Sequence, residues 1–318
     1  MADARQAAVT EGWPAVSYER WAATCDTLHA HAQVLGKIAV QLAPPEPELE
    51  HAALRLTARG WETAPLPAPD GSGSLVIALD LRTHQAVVEH SGGAAVRVPL
   101  TPHRPVAEVT RDVLTSVTRL GGPVAINPKP QEVPWTIPAE DDCDHARYDA
   151  GQVEDYHAAA TQAALVLAAF RAPYRGRCSA VDAWWGSFDI AATLFSGRSA
   201  DPPPAAGFIM RNSADAEHAT VGWWPGDARY PKAAFFAFAY PAPPGFGEAT
   251  LFPDAARWDK QLGEYVLDWD DVRAAADPHA TALGFARSAF HHACQAAGWD
   301  PAVGASAEGT PPPVSAPR

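Results

Sequence analysis

The sequence predicts an α+β fold, antiparallel sheets packed against segregated helices, on three observations. Trp21, Cys25, Leu28, Ala32, Leu35, Ala39 and Leu42 recur at steps of three and four, the stripe of an amphipathic helix. Short runs of alternating or continuous apolar residues are separated by Gly, Ser, Asp and Pro, the pattern of strands and tight turns. The order helix, strands, helix then occurs twice along the chain, which suggests two similar halves although no residues match between them.

Residues 1–12 carry no such pattern and read as a disordered N-terminus. The N-terminal α+β half is placed at 13–127. Ser17 is positioned to cap a helix from about Tyr18, Glu19 suits its first turn, and Pro44-Pro45 stops it. On a helical wheel Asp26, Gln33 and Lys37 fall opposite the stripe and are expected to face water. Strands are predicted at Ala53–Ala58, Leu75–Leu79, Ala86–Glu89 and Ala95–Val98, the last two joined as a hairpin through Ser91-Gly92-Gly93. A helix from about Pro105 carries Val106, Val109, Val113, Val117 and Leu120 and ends at Gly121-Gly122, and Val124–Ile126 reads as a short edge strand.

Residues 128–150, rich in proline and then in acid, form a connector to a C-terminal α+β half at 151–300. That half starts with a helix near Gln152, lined by Val153, His157, Ala160, Ala164 and Leu167. Strands follow at the Trp184–Phe195 stretch, Ala216–Trp224, Ala233–Tyr240 and Gly263–Asp268. The last helix has the clearest start, Asp277 as cap and Pro278 in the first position. Residues 301–318, with Pro311-Pro312-Pro313, read as a disordered tail.

Composition narrows the function classes. A chain of 318 residues buries enough surface to need no disulfide or metal staple, and Cys25, Cys143, Cys178 and Cys294 are too scattered for a paired motif. Charged residues are only 19% and prolines number 31, the usage of a high-GC bacterial gene. A net charge of −13 with no basic run argues against nucleic-acid partners. No long apolar run and no leader-like N-terminus are present, so a cytoplasmic protein without a membrane partner is expected.

The residues that could carry chemistry concentrate in Trp184-Trp185-Gly186-Ser187-Phe188-Asp189. Read as one strand, this stretch puts Trp185, Ser187, Asp189, Ala191 and Thr193 on a single face. A carboxyl drawn out of water beside an indole would have a raised pKa, which suits a general acid or base. The competing reading pairs Asp189 with Arg198 or Arg211. Glu264 and Asp268, four apart on a strand, share a face, Glu217 is another strand candidate, and any two of the three could form a carboxylate pair. Trp184, Trp185, Trp223, Trp224, Phe236, Phe238 and Tyr240 either fill the core or wall a pocket for a flat, apolar or cationic ligand. The twelve histidines form no spaced ligand set, the Glu140–His145 cluster matches no calcium loop, and no glycine-rich phosphate loop exists.

Several motifs act as a set: WGSFD, Phe195-Ser196-Gly197-Arg198, Trp223-Trp224-Pro225-Gly226, Ala239-Tyr240-Pro241 and Leu262-Gly263-Glu264-Tyr265. Asp26-Thr27-Leu28-His29 followed by Gly36-Lys37-Ile38, and Thr57-Ala58-Arg59-Gly60, belong with them. With them the chain, from about Trp13 to Trp299, resembles an uncharacterised bacterial family catalogued only as a domain of unknown function. The resemblance implies no activity.

The expected function is a small-molecule enzyme of specialised bacterial metabolism using general acid–base chemistry, of an isomerase-, lyase- or cyclase-like kind, with no nucleotide or metal cofactor. Asp189 would move the proton, with Ser187 and Tyr240 bonding the substrate. Trp185, Trp224 and Phe238 would hold its rings, Arg198 would counter an anionic group, and Glu264 would complete the site. The alternatives are a non-catalytic small-molecule-binding or protein-interaction protein, and a metal-dependent enzyme drawing ligands from His29, His218 and Glu217.

Overall fold

Strands from both halves of the chain join one sheet. A computed structural model describes residues 12–308 and shows an α+β fold. In chain order the strands are β1 Leu54–Thr57, β2 Gly60–Thr63, β3 Leu66–Pro67, β4 Ser74–Asp80, β5 Gln85–His90, β6 Ala95–Pro99, β7 Asp182–Trp184, β8 Asp189–Ser199, β9 Ala216–Trp224, β10 Ala234–Tyr240, β11 Arg257–Asp259 and β12 Glu264–Asp268. Their order is β11-β12-β10-β9-β8-β7-β1-β2-β4-β5-β6, with β3 beside β4, and every pair is antiparallel. The seam between the halves is β1 on β7, with Leu54 opposite Ala183 and Arg55 opposite Asp182.

Helices α1 Tyr18–Leu42, α2 Val106–Gly121, α3 Ala150–Arg171, α4 Phe208–Ser213, α5 Trp269–Ala274, α6 Pro278–Ala296 and α7 Pro301–Gly304 complete the fold. The four long ones cover one face: α1 lies on β2–β4, α2 on β4–β6, α3 on β8 and β9, and α6 on β9, β10 and β12. Alternation along the strands sorts the residues accordingly. Trp61, Ile77, Val88, Ile190, Leu194, Trp223, Phe235 and Tyr265 join the helices in the main core, while Ala191, Trp224, Ala234, Phe236 and Val266 cluster on the opposite face.

Several expectations change on the structure. The Trp184–Phe195 stretch is a hairpin, not one strand: β7 ends at Trp184, residues 185–188 turn, and β8 starts at Asp189. The Phe188 N–H donates to the Trp184 carbonyl at 2.8 Å, and Phe188 takes a left-handed φ of 62°. The turn sends Trp185 into the main core, where it is 2% exposed and donates its indole N–H to the Ala52 carbonyl at 3.1 Å. A Cβ on Gly36 would lie 2.0 Å from that indole, so α1 needs glycine where the ring crosses it.

Gln33 and Lys37 are buried rather than wet, because the connector lies along that side of α1. The Gln33 amide donates to the Gln131 carbonyl at 2.8 Å and accepts the Gln131 N–H at 2.9 Å, and the Lys37 ammonium donates to the Lys129 carbonyl. Ser17 makes no side-chain cap, whereas Asp149 caps α3 and Asp277 caps α6. Residues 124–126 form no strand. Residues 301–308 are ordered as α7 and a 3₁₀ turn, with Ala307 buried in the core. The readings for 1–11 and 309–318 lie outside the described residues. Among the described residues no helix is long and apolar enough to cross a membrane.

Candidate functional site

The face away from the helices holds most of the polar residues singled out from the sequence, and Asp189 sits at its start on β8. The carboxyl is 7% exposed, and no cation pairs with it among the described residues. Its side-chain partner is the exposed Ser187, whose hydroxyl donates to Asp189 Oδ1 across the turn. Burial pushes the acid up to about 7, the negative charge of Glu132 adds to the rise, and the Ser187 bond opposes it. Arg198, one of the two expected partners, binds Glu217 and the Ala297 carbonyl, and Arg211 donates to the Ala206 carbonyl.

Glu264 begins β12 one step beyond the Ala237–Tyr265 pair, which sets it beside Phe238. Its acid is also raised to about 7, first by burial and then by the charge of Asp189, with Arg229 pulling the other way. Glu132, in the proline-rich connector, turns its carboxylate against Gly186, where Oε2 lies 2.5 Å from the position of a Cβ, and its acid too is raised. Arg229, in the loop between β9 and β10, is the cation acting on both Glu132 and Glu264, and its guanidinium rests on Asp227 at 2.7 Å. Asp268 differs from these three. Burial opposes its charge, but Tyr230, Lys232 (2.9 Å) and Arg257 (3.1 Å) hold its carboxyl below the usual range.

Aromatic rings wall this face. Trp224 meets Phe236 edge-on at 5.4 Å and Tyr230 at 5.6 Å, and Phe236 and Phe238 lie parallel at 6.2 Å. The row continues through His218, which stacks on Tyr240 at 5.7 Å. Beneath the turn, His29 braces Asp189's attachment. Its Nε2–H donates to the Trp185 and Gly186 carbonyls at 2.9 and 3.0 Å, and its ring stacks on Phe188 at 4.9 Å. Burial lowers His29 to about 4, so the ring is neutral at physiological pH.

Of the residues singled out from the sequence, Asp189, Ser187, Trp224, Phe238 and Glu264 share this face. Trp185 packs beneath the turn instead. Arg198 stands nine residues along β8 from Asp189, roughly 30 Å at strand rise, and is held by Glu217. Tyr240 lies at the far end of β10, donating to the Asp201 carbonyl at 2.6 Å. His29, His218 and Glu217 do not converge: His29 serves the turn, His218 bonds the Ala216 carbonyl, and Glu217 accepts from Ser196 and Arg198. Among the described residues no group of three or more His, Cys, Asp or Glu is placed to hold a metal ion. Glu132, Arg229 and Tyr230 were missed, since each lies in a loop whose path the sequence does not reveal.

Comparison with known families decides the chain's kinship, because one family matches residues 13–305. The chain belongs to the family of unknown function DUF5996. The match takes in every element from α1 to α7, so the Asp189 face and the connector that borders it both lie within the family domain. No curated protein and no solved structure gives a significant match.

Proposed function

We propose that this DUF5996 chain is a small-molecule enzyme that moves protons through Asp189 and Ser187. The observation that carries the reading is a buried carboxyl with no cationic partner, whose acid lies at about 7 and whose hydrogen bond leads to an exposed hydroxyl. A group with that pKa lends and takes protons with similar ease at neutral pH. As a base, the Asp189 carboxylate accepts the Ser187 hydroxyl proton while the Ser187 oxygen takes one from the substrate, and the reverse transfer returns a proton to the product. Phe238, half-buried at the edge of the buried Trp224–Phe236 cluster, offers a ring face to an unsaturated or cyclic substrate. Glu264 is a second raised carboxyl, near enough to feel the charge of Asp189, with Arg229 as its counter-charge. The substrate fits specialised bacterial metabolism, and a cytoplasmic location accompanies that reading.

The aromatic row also supports a second reading, a non-catalytic binding protein for a flat or cationic molecule. Native mass spectrometry of freshly purified protein, followed by incubation of the identified molecule with wild type and Asp189→Asn, separates the two. The enzyme reading expects conversion by wild type and loss of most conversion in the variant. A ligand that binds both proteins and is changed by neither would support the binding protein and end the enzyme reading.

A further inference from the structure

A groove of about 490 Å³ opens between the first turn of α1, the turn before α2 and the run leading into α3. None of the residues of the Asp189 face lines it. Its size falls within the ~300–1,000 Å³ of small-molecule sites. Its charge runs against that of the whole molecule: the chain carries −13, yet Arg20, His103 and Arg147 line this groove from three separate segments. All three are exposed, and among the described residues neither guanidinium forms an ion pair or side-chain hydrogen bond. The one lining carboxylate, Asp149, is committed to the α3 cap, accepting the Gln152 N–H at 3.0 Å.

The groove is also built rather than accidental. His103 takes a left-handed φ of 65° and donates its backbone N–H to the Ala146 carbonyl at 2.9 Å, which locks the α2 turn to the segment carrying Arg147. The Gln152 amide donates to the Arg20 carbonyl at 3.1 Å, tying α3 to α1. Trp21, 4% exposed, provides an apolar floor. Walls fixed in advance reduce the ordering cost of binding.

We propose that this groove binds a small molecule carrying a phosphate group. Two guanidinium forks and an imidazole present more donors than the two oxygens of one carboxylate can accept. The three terminal oxygens and double charge of a phosphate monoester match them better. The organic part would lie against Trp21. The site is independent of Asp189 and could hold either a second substrate or a regulatory ligand.

Calorimetric titration with phenyl phosphate and with inorganic pyrophosphate tests the proposal on the whole protein. One equivalent of either should bind, more weakly as salt rises. Arg20→Ala/Arg147→Ala should lose at least about tenfold in affinity with an unchanged circular dichroism spectrum, while Asp189→Asn should bind as wild type does. Absence of binding by wild type at millimolar ligand, or equal affinity in the double variant, would overturn the assignment.

Discussion

Asp189 is costly to the folded protein at neutral pH, and the sign of that cost can be measured. Its carboxyl titrates at about 7 in place, against an ordinary 3.8, so the native state holds the proton more tightly than the unfolded chain. The stabilising contribution of the neutral acid is complete below about pH 4, falls as pH rises through 7, and then levels off. Glu264, raised from 4.5 to about 7, acts in the same direction. His29 and His31 act oppositely: lowered from 6.5 to about 4 by burial, they withdraw stability as pH falls across that window. The difference between wild type and Asp189→Asn therefore reads the Asp189 carboxyl together with the part of the Glu264 rise that its charge causes. Urea unfolding should show the variant gaining on wild type by up to ~1.4 kcal/mol per pH unit between about 4 and 7, with no further gain above pH 8. A difference that does not change with pH would refute the burial argument. His29→Ala should cost about 2–3 kcal/mol, because two buried carbonyls lose their donor. Faster hydrogen exchange at the Phe188 amide would report the loosened turn, and unaltered exchange would show that the turn holds without His29.

At the scale of elements, α1 is the central support. Its apolar stripe was legible because spacing by three and four survives any tertiary context. Its second buried side was not, because Gln33 and Lys37 are polar and the connector that covers them has no periodicity. They are buried to satisfy the backbone of a proline-rich segment, a role that composition does not reveal. Gln33→Ala should cost about 1–3 kcal/mol and free residues 128–135 to exchange. Unchanged protection there would mean that the connector is held by Lys37 and its prolines without Gln33. The hairpin at 185–188 was misread for a related reason: period-two alternation continues through the letters, but a left-handed Phe188 breaks it in space. Asp189 and Ser187 still came together because they flank Phe188 at the end of that turn. Gly36→Ala would push a methyl into the Trp185 ring and should destabilise by at least ~1–3 kcal/mol. A variant as stable as wild type would show that the indole can move aside.

Across the whole molecule, the α+β class with antiparallel strands was visible in the sequence, but the junction between β1 and β7 was not, since strand pairing between distant segments leaves no local trace. The β1–β7 seam carries a charge pair, with Asp182 fully buried and Arg55 partly exposed beside it. Removing the cation strands the carboxylate, and Arg55→Leu should cost up to ~3 kcal/mol, at the low end of buried pairs because Arg55 still touches water. Since the sheet is continuous, both halves should unfold in one transition, followed by tryptophan fluorescence and circular dichroism together. Two separated transitions would show that the seam does not couple them.

The most direct measurement is a carboxyl ¹³C NMR titration of the aspartates, with Asp189 assigned by its loss in Asp189→Asn. The Asp189 resonance is expected to titrate near pH 7. A midpoint below about 5 would contradict it, returning Asp189 to an ordinary hydrated carboxylate and leaving the proposed proton transfer without its acid.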